Sequence, residues 1–296
     1  MKDIKKRLIR EVLVCDGAMG TMLMQNGMPE GECPDYWGMV NHKKLLDIHK
    51  SYIQAGADMI TTNTFGSNWL KLKRFSLQDK VRQINTISAE LARQAARDKA
   101  YVLGDIGPSG EYIKPVGDIE FDQMYNIFAE QARTLEDARV DLILLETFYD
   151  MQELNCAILA VKDNTKLPVI ASMTFQRLKD KSFKTTSGIN IACFVEQAVK
   201  AGADIIGSNC TVTGIDMADI VLGIKEQKAS AIIAQPNAGM PRMESDRIVY
   251  DETAECFGKH TISLIEKGAN IIGGCCGTTP EHIKSVRRAV DAHKRP

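Results

Sequence analysis

The chain has 296 residues, of which 44% are apolar and 25% charged, a composition typical of a globular protein. Its net charge of −1 gives no indication of a nucleic-acid partner, and no apolar run reaches the roughly 18–20 residues needed to span a membrane. The start "MKDIKKRLIR" is too polar for a signal peptide and predicts a short amphipathic helix. Eight irregularly spaced cysteines then favour reduced thiols and a cytoplasmic location.

Eight short, nearly continuous apolar runs predict strands that are buried on both faces. They cover residues 12–18, 59–65, 101–107, 142–148, 169–175, 205–210, 231–237 and 271–276. Segments with helical spacing separate them, at 44–55, 68–98, 121–138, 151–163, 190–201, 215–226, 251–267 and 280–293. This alternation predicts a parallel sheet, and eight strands are the number that closes a (β/α)₈ TIM barrel. An open doubly wound sheet is the main alternative. No linker-like segment interrupts the chain, which predicts one domain over residues 1–296.

An internal repeat supports the barrel. The segments "AGADMITTNTF" (55–65), "AGADIIGSNC" (201–210) and "KGANIIGGCC" (267–276) each pass from a helix-ending glycine into a strand, and "ARVDLILLETF" (138–148) carries Arg139 in the glycine position. Aligned on that position, the seventh following residues are Asn63, Glu146, Asn209 and Cys275. The eighth are Thr64, Thr147, Cys210 and Cys276. These residues are therefore predicted at the carboxyl ends of strands 2, 4, 6 and 8, where barrel enzymes have their active sites.

Three of these residues predict a metal site at the carboxyl-terminal mouth of the barrel. Cys210, Cys275 and Cys276 end neighbouring strands, and thiolates select Zn²⁺ among common cytosolic ions. Each cysteine alone would more often be an inert buried residue. No fourth cysteine or histidine is expected at the mouth, so one coordination position stays open, as in catalytic zinc sites. Three thiolates make zinc a poor source of hydroxide, so the predicted chemistry is attack by a zinc-bound substrate thiolate on an electrophilic carbon.

Seven motifs resemble the zinc-dependent homocysteine S-methyltransferase family, and in particular the homocysteine-binding domain of cobalamin-dependent methionine synthase. They are "DGAMGT" (16–21), "TTNTFGSN" (61–68), "GDIGPSG" (104–110), "LETF" (145–148), "GSNC" (207–210), "PNAGMP" (236–241) and "GGCCGTTPEH" (273–282). The resemblance extends over essentially the whole chain. It implies a barrel, zinc on Cys210, Cys275 and Cys276, and homocysteine as the methyl acceptor that becomes methionine.

The resemblance also assigns substrate contacts. It implies that Asp16 and Glu146 hold the substrate amino group, which agrees with the need of an ammonium group for carboxylates. Asn63 and Thr64 match a loop near the amino-acid end of the substrate. Backbone N–H groups near Gly17 and Ala18 are candidate donors to the substrate carboxylate. Asn237 is a candidate fourth zinc ligand when substrate is absent.

The methyl donor stays open at this level. The sequence ends at Pro296 without a folate-binding barrel or a cobalamin module. The chain could be an excised fragment, a natural subunit served by a separate corrinoid protein, or an enzyme that uses a free donor such as S-methylmethionine or betaine. The motif "GGCCGTTPEH" resembles that of the cobalamin-dependent branch, which favours methylcobalamin on a corrinoid protein or module. The alternative from another functional class is a zinc- or amino-acid-binding protein without turnover.

Overall fold

The computed structural model of the chain describes residues 4–244 and 247–293. Eight parallel strands form the central sheet: β1 (Leu13–Val14), β2 (Met59–Thr61), β3 (Tyr101–Ile106), β4 (Leu142–Phe148), β5 (Val169–Met173), β6 (Ile205–Asn209), β7 (Ile232–Gln235) and β8 (Ile271–Ile272). Their order is β1-β8-β7-β6-β5-β4-β3-β2. A parallel bridge between Cys15 and Met59 joins the two outer strands of this order, so the sheet closes. The (β/α)₈ barrel is confirmed, and the open doubly wound sheet is excluded.

Twelve α-helices occur among the described residues. They are α1 (Ile4–Arg10), α2 (Met19–Gln25), α3 (Pro34–Val40), α4 (His42–Gln54), α5 (Trp69–Lys73), α6 (Val81–Ala96), α7 (Phe121–Asp137), α8 (Met151–Asn164), α9 (Ile191–Ala201), α10 (Gly214–Glu226), α11 (Ala254–Lys267) and α12 (Pro280–Ala292). The helix predicted over 68–98 is instead split into α5, a short 3₁₀ turn and α6, and Ser76 between them has φ +57°. In the part of the chain that the structure describes, no helix has both the length and the apolarity to cross a membrane.

The barrel encloses an apolar interior that is separate from the layer between strands and helices. Alternate strand residues such as Leu103 and Leu144 belong to the inner cluster, whereas their neighbours Val102 and Ile143 pack in the outer one. Ile4 and Leu8 of α1 also belong to the inner cluster. The amphipathic helix predicted at the start of the chain therefore closes the amino-terminal end of the barrel over residues 4–10. Residues 1–3 of that prediction lie outside the described residues.

The fourfold repeat is confirmed by the backbone. Gly56, Gly202 and Gly268 have φ values of +102°, +106° and +115°, and Arg139 adopts the same left-handed region with φ +63°. Two residues further on, an Asp or Asn side chain accepts a hydrogen bond from a backbone N–H of the neighbouring strand. These pairs are Asp58 with Val14, Asp141 with Val102, Asp204 with Val169 and Asn270 with Ile232. The repeat thus fixes the register of strands 2, 4, 6 and 8 at their starts.

Arg139→Gly is expected to raise the free energy of unfolding by about 0.5–1 kcal/mol. The left-handed conformation is costly for a residue with a Cβ, and the gain is partly offset by the larger entropy of glycine in the unfolded chain. Urea unfolding measures the change. Glu130→Gly in the exposed interior of α7 is the control, with an expected loss of about 1 kcal/mol. A destabilised Arg139→Gly variant would contradict this reading of the repeat.

Candidate active site

A polar layer lies above the apolar interior at the carboxyl ends of the strands. Continuing the inward-facing alternation of each strand leads to Asp105 on β3, Glu146 on β4, Gln235 on β7 and Cys275 after β8. All four line one cavity of about 890 Å³. The same cavity is lined by Asp16, Gly17, Ala18, Asn63, Cys210 and Cys276. The structure therefore brings together most of the residues predicted from the sequence.

Three thiols cluster on one wall of this cavity. The sulfur atoms of Cys210, Cys275 and Cys276 all lie within 4.8 Å of one another, and those of Cys210 and Cys276 are 3.7 Å apart. Two thiolates on a tetrahedral zinc ion with Zn–S bonds of about 2.3 Å are about 3.8 Å apart. The spacing therefore fits three corners of a zinc tetrahedron, and the soft donor set fits the same ion.

The thiols compete for a single negative charge. Hydrogen bonds from the side chains of Cys210 and Cys275 lower the pKa of Cys276 to about 3. Hydrogen bonds with Cys210 and Cys276, together with burial, raise the pKa of Cys275 well above its usual range. A divalent cation would relieve the repulsion that keeps the other sulfurs protonated. The donor set is thus suited to a cation that all three sulfurs share.

Backbone geometry places the sulfurs. Two consecutive residues with left-handed backbone follow β6, namely Cys210 with φ +59° and Thr211 with φ +57°. The N–H of Cys210 donates to the carbonyl of Gln235 at 3.0 Å, and the N–H of Cys275 donates to the carbonyl of Pro236 at 2.8 Å. Both ligand loops are therefore anchored on the end of β7, which lies between them. Left-handed Cys and Thr residues are uncommon, and such strained backbone concentrates at functional sites.

The glycines around Cys275 and Cys276 have different roles. Only Gly277 has a positive φ, of +82°. A Cβ at Gly273 would lie 2.7 Å from the carbonyl oxygen of Asp16, and one at Gly274 would lie 2.5 Å from Thr278. Glycines beside adjacent cysteines suggest positions where the chain can bend. The positive φ shows that Gly277 is such a position. Gly273 and Gly274 are instead required because neighbouring segments approach the backbone closely.

Gly277→Ala is expected to destabilise the protein by more than about 2 kcal/mol and to weaken zinc retention by about tenfold or more. The left-handed backbone becomes strained, and the new Cβ would lie 2.3 Å from the Cβ of Tyr250. Gly31→Ala is a matched control because Gly31 has φ +83° but nothing within 4 Å of the added atom. The control should cost only about 1–2 kcal/mol and keep its zinc. Equal effects of the two substitutions would refute the role of the Tyr250 contact.

A buried amide connects the polar ends of three strands. Asn209 is fully buried, and its Oδ1 accepts hydrogen bonds from the N–H of Thr147 at 2.9 Å and the hydroxyl of Ser172 at 2.7 Å. Its Nδ2 donates to the Thr147 hydroxyl at 2.7 Å and approaches the Cys275 sulfur at 3.9 Å. Residues from strands 4, 6 and 8 therefore meet at one level, as the repeat alignment predicts.

Buried carboxyl groups also line the cavity. Asp16 is 1% exposed and accepts the N–H of Thr61 at 2.8 Å. Glu146 makes no side-chain hydrogen bond to any described residue. Burial raises the pKa of Asp16 to about 7 and, together with the charges of Asp16 and Cys276, raises that of Glu146 to about 8. Burial and the neighbouring charges of Glu146, Asp35 and Asp16 also raise the pKa of Asp105 well above its usual range. Among the described residues, Lys71 on the cavity lining offsets part of the charge of Asp105, and an ammonium ligand would supply a cation for Asp16 and Glu146.

The other predicted residues are placed less directly on the cavity. Asn63 lines it, but its Nδ2 donates to the carbonyl of Pro34 at 3.0 Å. Thr64 is fully buried and not among the lining residues, and its hydroxyl donates to the carbonyl of Asp105 at 2.6 Å. The N–H of Ala18 is occupied by the Thr278 hydroxyl at 3.0 Å. Asn237 is 2% exposed and also outside the lining, but its Oδ1 has no hydrogen-bond partner among the described residues.

Three residues of the site are missing from the sequence-based set. Asp105 lies in "GDIG", which the sequence suggests only as a tight turn, although its inward position on β3 follows from strand alternation. Thr278 connects the segment after β1 with the segment after β8. Its hydroxyl accepts a hydrogen bond from the N–H of Ala18 and donates one to the carbonyl of Cys275 at 2.7 Å. Tyr250 directly follows a short strand, Arg247–Val249, that pairs antiparallel with Arg242–Glu244 after β7, and a hydrogen bond from it helps to lower the pKa of Cys276.

Comparison with known families agrees with this arrangement. The sequence profile described as homocysteine S-methyltransferase matches residues 13–290, nearly the whole barrel. The chain belongs to the homocysteine S-methyltransferase family. The predicted recognition is therefore confirmed, and methyltransferase chemistry is established at the level of the family.

Individual relatives add detail. The chain is 30% identical over 322 residues to a methionine synthase of Mycobacterium tuberculosis and 30% identical over 312 residues to one of Mycobacterium leprae. These matches cover 99% and 97% of the chain but only 26% and 25% of the relatives, so it spans about a quarter of their length. The metallated form of the homocysteine methyltransferase MmuM from Escherichia coli superposes with a TM-score of 0.77 at 19% identity, covering 94% of this chain and 96% of that one. That likeness supports the barrel fold.

Proposed function

We propose that this homocysteine S-methyltransferase barrel binds Zn²⁺ through Cys210, Cys275 and Cys276 and methylates homocysteine to give methionine. The observation that carries the proposal is the position of the three sulfurs. They cluster within 4.8 Å of one another in a cavity that Asp16 and Glu146 also line. Zinc at this position would supply Lewis acidity, which lowers the pKa of the acceptor thiol and keeps its sulfur nucleophilic.

The chain's own residues hold and orient the substrate. The carboxylates of Asp16 and Glu146 bind its ammonium group, and Asp105 adds negative charge beside them. Asn209 orients Cys275 through its amide, and Tyr250 contacts Cys276 from the mouth. With the amino group fixed by these carboxylates, the substrate sulfur is directed to the thiol cluster that lines the same cavity. We assign Asn63 and the backbone near Gly17 to the substrate carboxylate, with Ala18 and Thr64 supporting them, and Asn237 to the zinc in the absence of substrate.

The proposed transfer forms one bond and breaks one. The homocysteine thiol loses its proton to solvent before the reaction, and the sulfur lone pair forms the new S–CH₃ bond. The bond between the methyl carbon and the donor breaks, and its electron pair stays on the donor.

We assign the methyl group to methylcobalamin carried by a corrinoid protein or module. The cavity opens at a rim with exposed apolar side chains from separate elements, namely Met24 of α2, Phe75 after α5 and Ile248 before Tyr250. An exposed apolar rim around a deep polar site suits a large, partly apolar donor presented by another surface. The cytoplasmic location and the single domain over residues 1–296 stay predictions.

A donor screen tests the assignment. The zinc-loaded chain is incubated with homocysteine and, separately, methylcobalamin, a methylated corrinoid protein, S-methylmethionine or betaine, and methionine is quantified. Methionine from the corrinoid donors alone is the expected result. Turnover with S-methylmethionine or betaine and none with a corrinoid donor would overturn the donor assignment and leave the zinc chemistry in place. Homocysteine binding without methionine from any donor would identify a binding protein instead.

A further inference from the structure

A second group of metal-ligating side chains lies outside the cavity, at the start of α11. Cys256 and His260 lie four residues apart on one face of α11, and Glu252 lies just before Thr253, the residue that caps the start of the helix. One ligand atom of each lies within 4.8 Å of the others. Oε1 of Glu252 and Nδ1 of His260 are 2.7 Å apart.

Two of these atoms form a short ion pair. Oε1 of Glu252 and Nδ1 of His260 are buried from solvent, and the hydrogen-bond geometry between them is poor despite their short separation. Gly214 of α10 packs against the same edge of the histidine ring, because a Cβ there would lie 2.8 Å from Nδ1. Buried polar atoms without a well-formed hydrogen bond are uncommon in native structures. Here both atoms face a common point beside the sulfur of Cys256.

We propose that Glu252, Cys256 and His260 form a second binding site for a divalent cation of the zinc class. A thiolate, an imidazole and a carboxylate are each established zinc ligands, and the sulfur disfavours Ca²⁺ and Mg²⁺. Ligand atoms on a tetrahedral zinc ion lie about 3.3–3.7 Å apart. The carboxylate and imidazole therefore need to separate by less than about 1 Å, which small side-chain rotations provide. Cys256 is exposed, so the fourth position faces solvent.

The site would fasten one end of a segment that covers the thiol cluster. The N–H of Ala238 donates to the carbonyl of Cys276 at 3.0 Å, and the N–H of Glu252 donates to the carbonyl of Ala238 at 3.1 Å. The carbonyl of Glu252 also accepts from Nε2 of His282 at 2.9 Å. Tyr250, which contacts Cys276, lies two residues before Glu252. A cation here would therefore fix the loop that carries Tyr250 to α11.

Cobalt titration separates the two sites. In a Cys210→Ser/Cys276→Ser variant of the full chain, which removes the cavity cluster, Co²⁺ is expected to bind with one equivalent and a thiolate-to-cobalt absorption band. Adding Cys256→Ser should remove the band and weaken Co²⁺ affinity by more than about tenfold. Glu255→Gln is the control, because Glu255 pairs with Lys259 at 2.9 Å on the same helix. Absence of the band, or its persistence without Cys256, would overturn the proposal.

Two measurements on proteins with an intact cavity cluster keep the test independent of that double variant. Wild-type chain loaded with excess zinc and then desalted should retain two ions, and Cys256→Ser should retain one while keeping methyl transfer. Hydrogen exchange of amides in 238–252 should slow when the second ion binds. A wild-type stoichiometry of one with unchanged exchange would refute the site, whatever the outcome for the proposed methyl transfer.

Discussion

Cys276→Ala is expected to lose stoichiometric zinc and to reduce methyl transfer to homocysteine by about a thousandfold or more. A thiol with a pKa near 8.5 is only a few per cent thiolate at pH 7, so loss of thiol activation lowers the rate of methyl transfer by more than about tenfold. Loss of the fixed position of the acceptor sulfur costs about a further hundredfold. Zinc content by mass spectrometry and methionine formation from the active donor measure the two effects together.

Cys193→Ala provides the control for this substitution. Cys193 lies on α9 and is partly buried like Cys276, but its sulfur contacts Gln197 at 3.0 Å rather than the cavity. This variant should keep one zinc in the cavity and its activity. Cys276→Ala with full zinc and full activity would show that the thiol cluster is not the catalytic centre.

Glu146→Gln is expected to weaken homocysteine binding by about 10- to 100-fold with little loss of zinc. A hydrogen bond to a charged group contributes about 1.5–3 kcal/mol, and the amide keeps the shape of the side chain without its charge. The same variant should have a smaller kcat/KM, because the amino group no longer fixes the direction of the sulfur. Isothermal titration with the zinc-loaded protein measures the affinity directly.

The direction in which homocysteine affinity changes with pH also follows from these carboxylates. The ammonium group requires ionised carboxylates, and burial raises the pKa of Asp16 to about 7 and that of Glu146 to about 8. Homocysteine affinity should therefore rise as the pH increases from about 6 to about 8, and the rise should be shallower in Glu146→Gln. Glu153→Gln is the control, because that buried carboxyl, whose pKa is raised to about 7, binds Ser109 outside the cavity. An unchanged pH profile in Glu146→Gln would contradict the role of this residue.

Much of the barrel and the thiol cluster follows from local sequence patterns. Continuous apolar runs predict buried parallel strands, and the repeat places Glu146, Cys210 and Cys275 at one level because each helix end enters its strand in the same register. The hydrogen bonds between Thr147, Asn209 and Cys275 agree with that alignment. The position of Asp105 can also be predicted from the sequence, because Asp105 continues the inward-facing alternation of Tyr101 and Leu103.

Other features depend on contacts between distant parts of the chain. Tyr250 reaches Cys276 because the chain just beyond the strand Arg247–Val249 packs against Gly277, a contact between distant segments that the local sequence does not encode. The hydroxyl of Thr64 donates a hydrogen bond to the backbone carbonyl of Asp105 on β3, and the motif alone does not reveal this contact. "KLKRF" (71–75) predicts a solvated helix face, but Lys71 lines the cavity and its Nζ lies 4.2 Å from the ring centroid of Phe65. In each case the tertiary neighbour, rather than the local sequence, determines the role.

The central claim is that three cysteine sulfurs hold a zinc ion whose open position receives the sulfur of homocysteine. Zinc K-edge X-ray absorption of the Cys256→Ser protein, which keeps only the cavity site, with and without homocysteine, tests it most directly. The account predicts three sulfur neighbours at about 2.3 Å plus one lighter atom without substrate, and four sulfur neighbours with it. A sulfur count that stays the same when homocysteine binds would contradict the account.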